Sequence, residues 1–302
     1  MLELKRLRLL WELHTRGTVA AVAESLNYSP SAVSQQLNQL EREAGAPLLR
    51  KSGRNLVLTA TGEALVREAE ELLNGLERAE TVLRRSHPEL NYTIRVAAFQ
   101  SAMLAFLPET LRLLRSTTPQ LRVELVQYEP ELALRETWAR RFDLVVAEQY
   151  PGHAAPHIRG LDRIPLTTDR IQLAVPRGRA FAHIRRIEDA AELPWVMEPV
   201  GAATRHWAEQ ACRRAGFEPD LQFETADLQA HVRLIESENA VALLPSLVHR
   251  GKPRVRLIDL EGQPRRELFT AARVASERDP AIAALRQALA QVVAQADPQA
   301  TT

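Results

Sequence analysis

The sequence predicts a mixed α/β chain with an N-terminal winged helix-turn-helix, one long helix and a C-terminal α/β domain. Three patterns support this. Short helix-spaced segments joined by tight breaks lead into a basic hairpin that ends at Thr59, a heptad stripe follows, and strand and helix patterns alternate from Tyr92 onward. A chain of 302 residues, 45% hydrophobic and 25% charged, is long enough for two or three domains, each with its own core, and is expected to fold throughout. Net charge is only +1, so a polyanionic partner would have to be met by basic groups clustered locally. The single Cys212 can form no disulfide within the chain, and no Cys/His metal spacing occurs. Met1 to Arg8 alternates in charge, and no stretch approaches the ~18 apolar residues of a membrane span. The expectation is a cytoplasmic protein with no membrane contact, no metal and no cofactor.

The first helix is expected from Leu7, Leu10, Trp11 and His14, and Gly17 ends it. Thr18 caps a second helix with a narrow buried face of Val19, Val22, Ala23 and Leu26. Asn27-Tyr28 breaks the pattern, and Ser29-Pro30 restarts it with a cap residue and a proline at the first helical position. The third helix, Pro30 to about Glu43, should bury Val33, Leu37 and Leu40 and show Ser31, Ser34, Gln35, Asn38 and Gln39, with no charge before Glu41. Short hydroxyl and amide side chains can pair with base edges in a major groove, and a helix without early carboxylates avoids repulsion from phosphate. Leu48 to Thr59 reads as two short strands around a turn, carrying Arg50, Lys51 and Arg54 and no acidic residue. A basic hairpin beside such a helix can place Arg54 in the minor groove and Arg50 or Lys51 on phosphate.

Beyond the Thr59 cap, Leu65, Ala69, Leu72, Leu76, Ala79 and Leu83 step as a heptad seam to an end near His87-Pro88. A helix of that length runs about 36 Å. A stripe this narrow suits a two-helix seam better than a globular face.

Strands are expected at Thr93 to Ala98, Leu121 to Gln127, Asp143 to Ala147, Ile171 to Val175, Ala240 to Leu244 and Val255 to Leu260. Helices are expected around Met103 to Leu114, Ala203 to Ala215 and Ala226 to Ser237, which reads as a mostly parallel α/β domain. Ligands in such folds bind beyond strand C-termini, where helix N-termini offer free N–H groups to anions. Gln100-Ser101 opens a helix after the first strand and is the leading ligand candidate, suited to a carboxylate. Gly201 to Thr204 is the second, and Glu148 and Thr225 could line the same cleft. His153 and His157 lack a third ligand nearby, and Cys212 reads as a small buried residue on a helix. The motifs GxSxG, HExxH, GxxxxGK and GxGxxG are absent, so no enzyme chemistry is indicated.

The run Gly17-Thr18, Ala21 to Leu26, Ser29 to Leu37, Leu40-Glu41, Gly45, Leu48-Leu49 and Leu58 to Gly62 resembles the N-terminal signature of the LysR-type transcriptional regulators. The likeness continues more loosely through Asp143 to Val146, Leu173 to Pro176, Glu192 to Trp195 and Leu243 to Pro245, while Glu238-Asn239-Ala240 stands where a glycine-rich turn is common. The resemblance implies DNA roles for Pro30, Ser31, Ser34, Gln35 and Arg54, to which position adds Thr18, Asn38, Arg50 and Lys51. It also implies pairing of the long helix in a dimer, often a tetramer, on dyad-symmetric promoter DNA. The C-terminal domain is then expected to resemble type 2 periplasmic-binding proteins, with a small-molecule effector between two lobes. The corresponding boundaries are 1–59 for the DNA-binding domain, 60–88 for the linker helix and 89–302 for the effector domain. Lobe I would take about 89–165 and 266–302, and lobe II about 166–265. Two competing readings are an enzyme, for which no motif speaks, and a solute-binding module whose head contacts protein instead of DNA.

Overall fold

A computed structural model describes residues 1–52, 55–87, 91–249 and 254–296. It divides into two compact units, Met1–His87 and Pro88–Thr302.

In the first unit, α1 (Leu4–Arg16) buries Leu7, Leu9, Leu10, Trp11 and Leu13. His14, expected on that face, is exposed, because Leu13 and Leu9 take the inward positions of the stripe. Gly17 closes the helix at φ 78, a left-handed conformation that glycine adopts without strain. The Thr18 hydroxyl accepts from Ala21 N at 3.2 Å to start α2 (Val19–Leu26), and Ser29 accepts from Ala32 N at 3.1 Å to start α3 (Pro30–Ala44). Val22, Val33 and Leu40 are fully buried where these three helices meet. Strands β1 (Leu49–Ser52) and β2 (Asn55–Leu58) pair antiparallel from Leu49↔Leu58 to Ser52↔Asn55, forming the expected hairpin.

Thr59 caps α4 (Ala60–Ser86) through Gly62 N at 3.0 Å. Gly62 is required by space: a Cβ there would lie 2.2 Å from the Leu48 carbonyl oxygen. The helix buries Gly62, Val66, Ala69 and Leu73, and it packs on α1. The expected seam is therefore two faces. Ala69 belongs to the intrachain face, whereas Leu72, Leu76 and Leu83 stand 53%, 45% and 61% exposed, on a stripe left open among the described residues.

The second unit is built on one sheet of order β10-β6-β11-β5-β3-β4, with β9 also on β6. Its strands are β3 (Tyr92–Ala98), β4 (Leu121–Gln127), β5 (Leu144–Gln149), β6 (Ile164–Val175), β9 (Ala242–Pro245), β10 (Arg256–Asp259) and β11 (Arg265–Ala272); β7 (Pro194–Met197) and β8 (Asp220–Glu224) pair separately. Among the described strands β3/β4, β3/β5 and β7/β8 pair parallel and the others antiparallel, so the mostly parallel expectation is corrected to a mixed sheet. The difference comes from β6 and β11, two antiparallel strands that cross between halves of the unit. The first half of β6 pairs with β11, and its second half pairs with β9 and β10.

The helices are α5 (Gln100–Ala105), α6 (Leu107–Thr117), α7 (Pro130–Trp138), α8 (Ala203–Arg214), α9 (Leu228–Glu236) and α10 (Pro280–Ala296). The single helix expected over Met103 to Leu114 is two, broken at Phe106, whose backbone at φ -135 is not helical. One core gathers Val96, Phe106, Leu144 and Leu285 under α5, α6 and α10. Another lies under α8 around Trp195 and Cys212. Glu238 holds φ 63, a left-handed conformation that favours glycine.

Candidate nucleic-acid interface and ligand cleft

The α3 cap and apolar stripe decide which side chains face outward. With Val33, Leu37 and Leu40 turned inward, Pro30, Ser31, Ser34, Gln35 and Asn38 are all exposed. Ser31, Ser34, Gln35 and Asn38 line one open groove of about 980 Å³ with Arg42 and Pro47. Gln39 is half-buried and donates to Glu43 at 3.1 Å, so it leaves the exposed set. Thr18 is exposed at its cap, and Arg50 and Lys51 are exposed on β1. Arg54 lies outside the described residues.

Glu41, read from sequence only as the first charge of α3, joins helix to hairpin. Its Oε1 accepts from Leu48 N at 2.8 Å and from Leu49 N at 2.9 Å. Glu41 also lines the groove, at its Pro47 end, and its carboxylate is engaged there by the backbone N–H groups at the start of β1. Arg6 adds a second tie, donating from α1 to Gln36 at 3.0 Å and Glu43 at 2.7 Å.

In the second unit two of the ligand candidates, Ser101 and Glu148, contact a buried cation, Arg266 of β11, which is 1% exposed. Its guanidinium donates to Asp169 Oδ2 at 2.7 and 3.0 Å, to Ser101 Oγ at 2.7 Å and to Glu148, and it stands 5.2 Å from the Phe99 ring centre. Burial opposes its charge, but Glu148, Tyr150 and Asp169 together hold its pKa above the ordinary arginine value. Asp169 also accepts from Ser246 Oγ and from Leu247 N at 3.2 Å, which links the crossing strand β6 to the turn after β9. Ser101 and Glu148 therefore belong to a closed ionic network, and the Ser101 hydroxyl, fully buried, is engaged by Arg266.

Gln100 reaches the N-terminus of α9. Its Nε2 donates to Asp227 Oδ1, and its Oε1 accepts from Leu228 N, both at 2.8 Å. Thr225 sits in the same turn, its hydroxyl accepting from Asp227 N at 3.2 Å and its carbonyl meeting His231 Nε2 at 2.8 Å. Gly201 is exposed at φ 99 before α8, and Thr204 turns a buried hydroxyl without a partner into a small cavity. Glu198, lining that cavity, has its carboxyl pushed up to about 8, first by burial and then by Glu148 and Glu129, against the pull of Arg266.

Sequence reasoning missed Arg266, Asp169, Glu198 and His231. Arginine and aspartate are mostly surface residues, and only the pairing of β6 with β11 brings Asp169 and Arg266 together. His153 meets Glu131 at 3.2 Å and its ring lies 5.0 Å from that of His206, tilted by 44°, and His157 is exposed. Cys212 is fully buried, and burial pushes its thiol up to about 12.

Two family profiles match the chain: "Bacterial regulatory helix-turn-helix protein, lysR family" over residues 4–63 and "LysR substrate binding domain" over residues 87–294. Among curated relatives, the transcriptional dual regulator GltC of Bacillus subtilis is 25% identical over 246 residues, covering 81% of each chain. A probable RuBisCO transcriptional regulator of Emiliania huxleyi is 25% identical over 243 residues, covering 78% of this chain and 76% of its own. Among solved structures, a full-length OxyR variant from Pseudomonas aeruginosa superposes with a TM-score of 0.68 at 18% identity, covering 100% of this chain and 99% of the other. Full-length CbnR in complex with its target DNA matches with a TM-score of 0.53 at 20% identity, covering 97% and 100%.

Proposed function

The chain belongs to the LysR-type transcriptional regulators, and on that premise we propose that it acts as a dimer on dyad-symmetric promoter DNA under control of a small molecule held between the lobes of its second unit. It is a DNA-binding transcriptional regulator with a substrate-binding domain, and the family consists of regulators, not enzymes.

The observation that carries the reading is the outward face of α3: Ser31, Ser34, Gln35 and Asn38 exposed together, free of charge, beside a hairpin whose described cations Arg50 and Lys51 are exposed. Ser34, Gln35 and Asn38 are assigned to base edges in the major groove. Pro30, Ser31 and Thr18 approach the sugar-phosphate backbone, Arg50 and Lys51 bind phosphate, and Arg54 enters the minor groove. The uncovered stripe of Leu72, Leu76 and Leu83 supports pairing of α4 with a second copy. Two copies then present two half-sites, and two dimers can share a longer operator. The assigned ranges are 1–59 for DNA, 60–88 for the linker and 89–302 for the effector. No helix among the described residues is long and apolar enough to cross a membrane; action in the cytoplasm is assigned from the DNA-binding role.

The effector is assigned to the cleft bounded by Gln100, Ser101, Glu148, Gly201, Thr204 and Thr225. Control then follows from linkage: the ligand binds one arrangement of the lobes better than another and shifts DNA affinity by that difference. The test is fluorescence anisotropy of a labelled promoter duplex with the full-length protein over a salt series. Affinity is expected to fall steeply with salt, and Arg54→Ala is expected to lower it further. Salt-independent binding, or no duplex binding at all, overturns the reading in favour of a protein-contacting head.

A further inference from the structure

The groove on α3 carries one charge that the assigned DNA contacts leave out. Arg42 lines it together with Ser31, Ser34, Gln35 and Asn38. It follows Gln35 by seven residues and Asn38 by four, close to two turns and one turn of helix, so the three side chains stand in a row on one face. Arg42 is exposed, and it makes no hydrogen bond or ion pair among the described residues.

Its two neighbours in sequence are acids, and both are held elsewhere. Glu41 Oε1 is engaged by Leu48 N and Leu49 N at 2.8 and 2.9 Å. Glu43 Oε1 accepts from Arg6 of α1 at 2.7 Å and from Gln39 at 3.1 Å. Among the described residues that line the groove, Arg42 is thus the charge left without a partner. Position along the helix says what it can reach. Arg42 lies about 6 Å beyond Asn38 and about 10 Å beyond Gln35 at the rise of an α-helix. A recognition helix meets base edges with its N-terminal part, and the major groove is only about 12 Å wide, so the last turn comes to the groove wall, where the phosphates are. The Glu41 bonds fix this end of α3 against the start of β1, one residue before Arg50. Arg42 and Arg50 therefore stand on the two arms of one tied joint.

We propose that Arg42 grips a backbone phosphate at the wall of the major groove and anchors the far end of α3 while Ser34, Gln35 and Asn38 face base edges. This rests on the reading of α3 as the DNA-reading helix and adds a contact to it. A free guanidinium is suited to that role, because it offers several donors to phosphate oxygens and breaks no bond within the protein to do so. The bland alternative is that Arg42, in the last turn of α3, serves only the negative end of the helix dipole. That role would act on folding and leave the salt dependence of DNA binding untouched.

The test uses the full-length protein and the duplex that the wild type enriches from a random pool, with affinity read by fluorescence anisotropy over a salt series. Arg42→Gln removes the charge and keeps a good helix former, so it is expected to fold with a midpoint close to that of the wild type. It is expected to bind roughly tenfold more weakly at low salt and to lower the salt slope by about 1 for each half-site occupied, with the enriched motif unchanged. Arg42→Lys keeps the charge and is expected to restore the slope. Unchanged affinity and slope in Arg42→Gln reduce Arg42 to a helix-dipole residue and overturn the proposal, while the DNA-reading role of α3 stands. A changed base preference in Arg42→Gln assigns the side chain to a base edge and overturns the proposal too. If the wild type enriches no duplex, the proposal falls together with the reading of α3.

Discussion

Arg266 shows how much one side chain can organise. Buried with Glu148 and Asp169, it is the cation that both acids depend on, and its removal leaves two carboxylates in a low-dielectric site. Arg266→Met is expected to cost about 3–5 kcal/mol, read as a lower midpoint in chemical denaturation. Gly62 offers a second test at this scale. Its missing Cβ makes room for the Leu48 carbonyl, so Gly62→Ala should destabilise the first unit by about 1–3 kcal/mol through forced displacement of that segment. These residues also mark the limits of sequence reading. The caps at Thr18, Ser29 and Thr59 were legible because capping is local chemistry, within three residues of the atom bonded. Arg266 and Asp169 were not, since their meaning depends on a partner 97 positions away.

The elements that sequence describes best are those whose apolar period is unambiguous. Helix α3 and strand β4 fall where the pattern placed them, and the α3 groove face emerged as read, apart from Gln39. Strand β11 was missed because it opens on Arg265-Arg266-Glu267, and the first half of β6 because Thr167-Thr168-Asp169-Arg170 carries no apolar alternation. Asp169 and Arg266 of these two polar stretches meet in the ionic network, so the strand signal was weak where that network is made. Two expectations follow for elements. Glu41→Ala removes the acceptor for two backbone N–H groups and should cost about 1–3 kcal/mol while weakening DNA affinity, because the hairpin loses its fixed position against α3. On α4, Leu76→Glu with Leu83→Glu places charges on the uncovered stripe while sparing the buried face of Val66 and Leu73. Sedimentation is then expected to report a folded monomer for the variant and a dimer for the wild type.

For the whole molecule, a net charge of +1 shapes the mode of DNA recognition. With little global attraction for phosphate, the proposed reading takes affinity from a few placed cations and specificity from uncharged side chains on α3. These contributions separate experimentally. Phosphate contacts set the salt dependence of binding, whereas base contacts set the preferred sequence. The direct measurement is selection from a pool of random DNA duplexes by the full-length protein, with salt titrations on the enriched sequence. Wild type is expected to enrich a dyad. Ser34→Ala should change the bases at one symmetric pair of positions with the salt slope unchanged, and Arg50→Ala with Lys51→Ala should keep the motif while reducing the slope by about 1–2. No enriched motif, or the same motif and slope from all three proteins, would contradict the assignment of α3 and the hairpin as the DNA-reading surface.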